Sequence, residues 1–155
     1  MTSAPGPILV VGYGNPLRTD DGVGPAVASR LTADPRLADV DIRTGHQLTP
    51  ELALDASRAS LLVLVDADAG EPPGEVAVRR LEPTELAGTA WTHHLDPSGL
   101  VGLAHELWGS APPVVVVSVG PVSLKLGEEL TPPVAAAAVR AARLVADIVK
   151  THFRA

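Results

Sequence analysis

The stretch ILVVGYGNPLRTDDGVG, Ile8 to Gly24, decides how the rest of the chain is read. An apolar run enters a glycine-rich loop, and beyond the loop Val23, Val27 and Leu31 recur four residues apart, the spacing of one face of a helix. Strand, loop and helix are therefore predicted in that order. Two adjacent acids, Asp20 and Asp21, stand in the loop. Either one alone reads as a helix cap, because a carboxylate beside unpaired N–H groups and the positive end of the helix dipole stabilises by ~1 kcal/mol. One cap needs one acid. The second is left over, next to Gly22 and Gly24, which let the backbone bend sharply or approach a ligand.

Outward from this stretch the pattern alternates. DVDIRTG, Asp39–Gly45, alternates like a half-exposed strand, and Thr49 and Pro50 then sit where an N-cap and a first helical residue belong. LLVLVDAD, Leu61–Asp68, is a continuous apolar run expected of a central strand covered on both faces. EVAVRRLE, Glu75–Glu82, alternates and should lie nearer an edge. Asp96 and Pro97 begin a helix with Leu100, Leu103 and Leu107 on one face. PPVVVVSVG, Pro112–Gly120, is a second buried strand, and the closing helix in LTPPVAAAAVRAARLVADIV is capped by Thr131 with Pro132 in its first turn. The order β, α, β, α, β, β, α, β, α predicts an α/β fold. It is a three-layer αβα single domain over residues 1–155 with a mostly parallel twisted sheet, since parallel strands need helical crossovers.

Composition agrees. A chain of 155 residues fits one domain that removes roughly two thirds of its unfolded surface from water. With one Phe, one Tyr and two Trp, the core must be built from Val, Leu, Ala and a little Ile. A formal net charge of −6 without a long charged block gives no footprint for nucleic acid or an anionic membrane. The absence of cysteine removes disulfides, thiolate metal sites and cysteine nucleophiles. No basic segment leads into a long apolar run, and none approaches the ~20 apolar residues that span a bilayer, so a cytoplasmic protein is expected.

Sheets of this kind bind ligands outside the carboxyl ends of their strands. That rule points to the loops after Tyr13, Val65 and Val119, and to THHLDP, which leads into a helix beside them. Asp66 ends the run LLVLV at the mouth of the sheet, where an ionised group needs water, a donor or a cation. Asp68 begins a turn, AGEPPG. His93 and His94 are the one tandem histidine pair. Two carboxylates and an imidazole drawn from separate loops would make an N/O site for a borderline divalent ion such as nickel or zinc, with a coordination position left for substrate or water. Other chemistries lack their parts. Leu17 stands where a dinucleotide fingerprint needs its third glycine, a P-loop Lys-Ser/Thr pair is missing, and neither GxSxG nor HExxH occurs. Hydrolysis here would have to be metal-assisted.

ILVVGYGNPLRTDDGVGPAVASRL closely resembles the opening of the nickel–iron hydrogenase maturation proteases, whose first loop reads roughly G-x-G-N-x-L-x-x-D-D/E-G-x-G. LLVLVDA resembles that family's buried strand ending in Asp, HHLDP its His-x-L loop before a helix, and SVGPVSLKLGEELTPPV its G-x-x-P followed by G-x-x-L-T-P-x-V. The resemblance covers nearly the whole chain in order. It implies a cytoplasmic, aspartyl-type endopeptidase, expected to act as a monomer, that removes a short C-terminal extension from the nickel-loaded precursor of the hydrogenase large subunit. It also implies that Asp21, Asp66 and His93 bind the nickel, which the precursor brings, and that Asp20 is structural. His93 is preferred to His94 because it fits the ungapped H-x-L. Two rivals remain: a non-catalytic nickel- or precursor-binding maturation factor, and a nucleotide-binding α/β protein using Gly12 and Gly14.

Overall fold

The computed structural model describes residues 6–81 and 95–154. Strand β1 (Ile8–Tyr13) leads through a 3-10 turn (Thr19–Gly22) into helix α1 (Val23–Thr32), followed by β2 (Asp41–Gly45), α2 (Leu52–Arg58), β3 (Leu61–Ala67), β4 (Val76–Leu81), α3 (Pro97–Trp108), β5 (Val114–Val119) and α4 (Pro132–Arg154). The strands form one sheet in the order β2-β1-β3-β5-β4, parallel throughout except for β4, which runs antiparallel to β5. Element order, the central position of β3 and the edge position of β4 are as the sequence predicts, and β2, read as half-exposed, forms the other edge.

Period-two alternation explains the layers. Ile8, Val10, Val63, Val65, Val115 and Val117 pack with Val23, Val27 and Leu31 of α1 and with Val134, Ala138 and Val145 of α4. Their sequence neighbours Leu9, Val11, Leu62, Leu64, Val114 and Val116 pack with Ala53 and Ala56 of α2 and with Leu100 and Leu103 of α3. The continuous apolar runs of β1, β3 and β5 are thus buried on both faces.

The helix ends depart from expectation in instructive ways. The α3 start holds: Asp96 accepts the Gly99 N–H at 2.7 Å, with Pro97 in the first turn. Leu107, expected on its buried face, is exposed in the last turn. Helix α2 begins later than predicted, because the carbonyls of Thr49 and Pro50 accept the Leu52 and Ala53 N–H groups in a tight turn. At α1 neither acid is the cap. The preceding residue is Gly22, with no side chain to donate or accept, and both carboxylates are engaged elsewhere.

Chain direction creates one crevice. The connection through α1 carries the chain from β1 to β2 on one side, and the connection through α2 returns it to β3 on the other. The loops leaving β1 and β3 therefore diverge, which opens the carboxyl end of the sheet between them. The start of α1 is pressed against this end. A Cβ on Gly24 would meet the Tyr13 and Val65 carbonyl oxygens, so this glycine serves close approach of the helix to the two strands. Gly24→Ala should lower stability by about 1–3 kcal/mol through overpacking. A melting temperature equal to that of the parent chain would show that α1 can step away without penalty.

Candidate functional site

Asp20 and Asp21 lie in the 3-10 turn, where three residues complete a revolution and neighbouring side chains diverge by about 120°. Asp20 turns inward and is fully buried. Its Oδ2 accepts the N–H groups of Val122 (2.9 Å) and Ser123 (3.0 Å) and the Thr131 hydroxyl (2.8 Å), while Oδ1 accepts the Thr131 N–H (2.8 Å). Burial pushes this carboxyl up, but the hydrogen bonds from Thr131, Ser123 and Val122 outweigh it and hold the pKa below the ordinary carboxylate value. The loop after Val119, expected to line a ligand site, is thus a brace for the first loop. It is fastened further by Thr19, whose N–H donates to Gly127 O (2.9 Å) and whose hydroxyl donates to Lys125 O (2.6 Å). Thr19 sits at φ 52°, a left-handed conformation costly for a β-branched residue and held here by those contacts.

Asp21 faces the crevice. Among the described residues its carboxylate has one hydrogen-bond donor, the Asn15 N–H at 2.7 Å. Gly14 makes that closure possible: its φ of 145° and the Asp21 carbonyl against its α-carbon leave no room for a side chain.

Asp66 follows Leu62 and Leu64 on the α2 and α3 face of β3, one step beyond the core. Its register partner on β5 is Ser118, the one polar residue of that strand. The Ser118 hydroxyl donates to Oδ1 at 2.8 Å and the Tyr13 hydroxyl, from the end of β1, donates to Oδ2 at 2.9 Å. Burial raises the Asp66 pKa, and the two hydroxyls only partly offset it; Asp68 adds to the rise and Arg79 opposes it. Tyr13 is pushed up as well, by burial and then by the Asp66 charge, so its phenol stays a donor. Asp68 accepts the Gly70 N–H at 2.8 Å and shapes the turn the sequence predicts.

Asp21 and Asp66 line the same cleft, of about 350 Å³, together with Tyr13, Gly14, Arg18, His46, Gln47 and Leu95. The structure therefore brings two of the three predicted site residues together. His93 and its competitor His94 lie outside the described residues. Among the described residues no group of three or more His, Asp or Glu is placed to hold a metal ion.

Four residues were not singled out from the sequence. Tyr13 and Ser118 carry a weak signal: each is the lone hydroxyl in an apolar strand, and only strand register reveals that both meet Asp66. His46 and Arg18 were more accessible. His46 follows β2, whose carboxyl end opens at the same end of the sheet, and the rule used to choose loops applies to it equally.

No family model and no curated protein matches the sequence. Among solved structures, the NiFe hydrogenase maturation protease HycI from Thermococcus kodakarensis is 30% identical, with 96% of this chain and 95% of that chain covered at a TM-score of 0.71. The hydrogenase 2 maturation peptidase from a Thaumarchaeota archaeon is 29% identical, covering 93% and 98% at a TM-score of 0.72. The hydrogenase maturating endopeptidase HybD from E. coli is 27% identical, covering 94% and 93% at a TM-score of 0.74. The chain belongs to the NiFe hydrogenase maturation protease family, a family of endopeptidases.

The Asp20 brace is testable by stability. Asp20→Ala leaves buried donors unpaired, each costing about 1–3 kcal/mol, so a loss of about 3 kcal/mol or more is expected. Because the folded pKa of Asp20 is depressed, its charge-dependent contribution is complete above the unfolded-state value of about 4 and is lost as pH falls through the folded value. The gap in melting temperature between the parent chain and Asp20→Asn should therefore be constant near neutrality and narrow in acid. A gap that widens in acid would contradict the brace.

Proposed function

We propose that this chain is an endopeptidase that removes the C-terminal extension of the nickel-loaded precursor of a NiFe hydrogenase large subunit, and that Asp21, Asp66 and His93 recognise the nickel. The observation that carries this reading is the meeting of Asp21 and Asp66 in one cleft at the point where the strand order reverses. The donor chemistry suits the ion. Asp21 has one hydrogen-bond donor and Asp66 two, so both carboxylates keep lone pairs for a cation. Oxygen donors with an imidazole suit a borderline divalent metal. His93 stands two residues before Leu95, which lines the cleft.

The ion arrives as part of the substrate and serves as proof that assembly of the precursor is finished. When bound, it supplies polarisation of the scissile carbonyl or a water of lowered pKa. The chain's own contribution is to position. Tyr13 and Ser118 hold Asp66 in one orientation, and Asn15 holds Asp21. Burial that disfavours ionised Asp66 makes an incoming cation the partner this carboxylate lacks. No described helix is long and apolar enough to cross a membrane; the proposed enzyme works in the cytoplasm as a monomer.

The deciding experiment incubates the protein with nickel-loaded and with nickel-free precursor and follows the large subunit by mass spectrometry. Shortening confined to the nickel-loaded form is expected. Co-purification without a mass change would instead identify a binding factor. Asp21→Ala, Asp66→Ala and His93→Ala should each reduce processing by about 100-fold or more, with melting temperatures near that of the parent; full processing by any one removes that residue from the site. Since the Asp66 pKa is raised, its ionised form is lost at a higher pH than for an ordinary carboxylate. Processing should accordingly fall on the acid side before the fold, braced by Asp20, gives way. A kcat/KM that stays level down to the acid unfolding transition would contradict a raised Asp66 pKa, because that ratio reports the free protein.

A further inference from the structure

A cleft of about 350 Å³ has room for a few residues of a peptide. Asp21 and Asp66 are given to the ion by the reading above, and Tyr13 is bonded to Asp66. The polar side chains of the lining that remain for a peptide are Arg18, His46 and Gln47, all exposed at the crevice.

Arg18 is the permanent cation among them. Two carboxylates line the same cleft, yet Arg18 pairs with neither: the ion pairs among the described residues belong to Arg36 and Arg43. Its Nε instead donates to Leu124 O at 3.3 Å, on the loop after β5, and its Nη1 and Nη2 have no partner among the described residues. The separation follows from how each group is held. The Asn15 N–H holds Asp21, the Tyr13 and Ser118 hydroxyls hold Asp66, and Arg18 is tied to the second loop. The backbone of Arg18 is fixed as well, its N–H donating to Asn15 O at 3.0 Å and its carbonyl accepting the Asp21 N–H at 3.1 Å. A guanidinium anchored at Nε on fixed backbone loses little freedom when its outer edge binds a ligand.

Charge arithmetic selects the ligand. A divalent ion between Asp21 and Asp66 cancels their two negative charges, which leaves the described lining with the single positive charge of Arg18 in excess. A peptide carbonyl would leave that charge unmatched, and Gln47 offers a neutral amide for such a group. A carboxylate matches both the charge and the paired donors Nη1 and Nη2.

We propose that Arg18 is a specificity residue of this cleft and binds a carboxylate of the C-terminal extension, carried either by an acidic side chain or by the chain terminus. This rests on the function proposed above and names what the cleft selects in its substrate.

The test follows processing of nickel-loaded precursor by the parent chain, by Arg18→Gln, and by Arg30→Gln, which removes a cation from the last turn of α1, away from the cleft. Arg18→Gln should raise KM about 10-fold, the worth of one charge-assisted hydrogen bond, with kcat and melting temperature close to those of the parent. Arg30→Gln should match the parent. Two altered precursors distinguish the source of the carboxylate, one with every Asp and Glu of the extension replaced by Asn and Gln, the other with its C-terminal carboxylate amidated. The alteration that removes the recognised group should raise the KM of the parent by a similar factor and leave that of Arg18→Gln unchanged, a coupling that a merely structural role for Arg18 does not produce. An unchanged KM in Arg18→Gln, a loss confined to kcat, an equal rise for Arg30→Gln, or effects of variant and altered precursor that simply multiply would each overturn the assignment. The precursor arm needs no variant chain, so even if Arg18→Gln folds poorly, a parent indifferent to both alterations overturns it. A parent that leaves the unaltered precursor uncut refutes the proposed function itself, whereas an active parent with an equally active Arg18→Gln refutes only the role of Arg18.

Discussion

The arrangement depends on one buried negative charge. Asp20 is removed from water and would be strongly destabilising were its carboxylate not met by four hydrogen bonds from Val122, Ser123 and Thr131, 102 to 111 residues away in sequence. Those bonds join the loop after β1 to the loop after β5 across the top of the sheet. They also fix the turn in which Asp21 points the other way. The course of both loops and the outward turn of Asp21 toward the cleft follow from that junction.

Three aspartates near one another illustrate how surroundings decide the role of a side chain. Asp20, surrounded by donors, is kept ionised and structural. Asp66, with two hydroxyls and a largely apolar strand beneath it, carries a charge that its environment resists. Asp68, at the surface, shapes a turn. A half-buried carboxylate under such resistance at the mouth of a crevice is a common mark of a functional group, because the protein gives up stability to keep it there.

Much of this was legible in the sequence because the fold is written in strong signals. Uninterrupted Val and Leu runs identify β1, β3 and β5, alternation identifies the edges, and Asp96-Pro97 identifies a helix start. The cleft position of Asp66 is legible because it coincides with a strand end. Asp20 was recognised as structural, but its partners were not, since a hydrogen bond spanning more than a hundred residues leaves no local periodicity. Thr131 does stand at the start of α4, where its carbonyl accepts the Ala135 N–H, but its hydroxyl donates to the distant Asp20; Thr49 is not the cap of α2, because its carbonyl closes a local turn with the Leu52 N–H. His46 was missed through an incomplete application of the strand-end rule. Tyr13 and Ser118 needed register, which only coordinates provide.

The long reach of the Asp20 junction bears on how the chain is made. During synthesis the first loop leaves the ribosome well before its partners, carrying a carboxylate whose donors lie more than a hundred residues further along the chain. Until Val122 to Thr131 emerge, the nascent loop has no reason to adopt its final course, and Asp20 remains hydrated. Contacts of such separation form late and slow the search for the native state. The cleft therefore takes its shape only once the segment from Val122 to Thr131 has joined the first loop, so that a local turn and a distant segment must be made together.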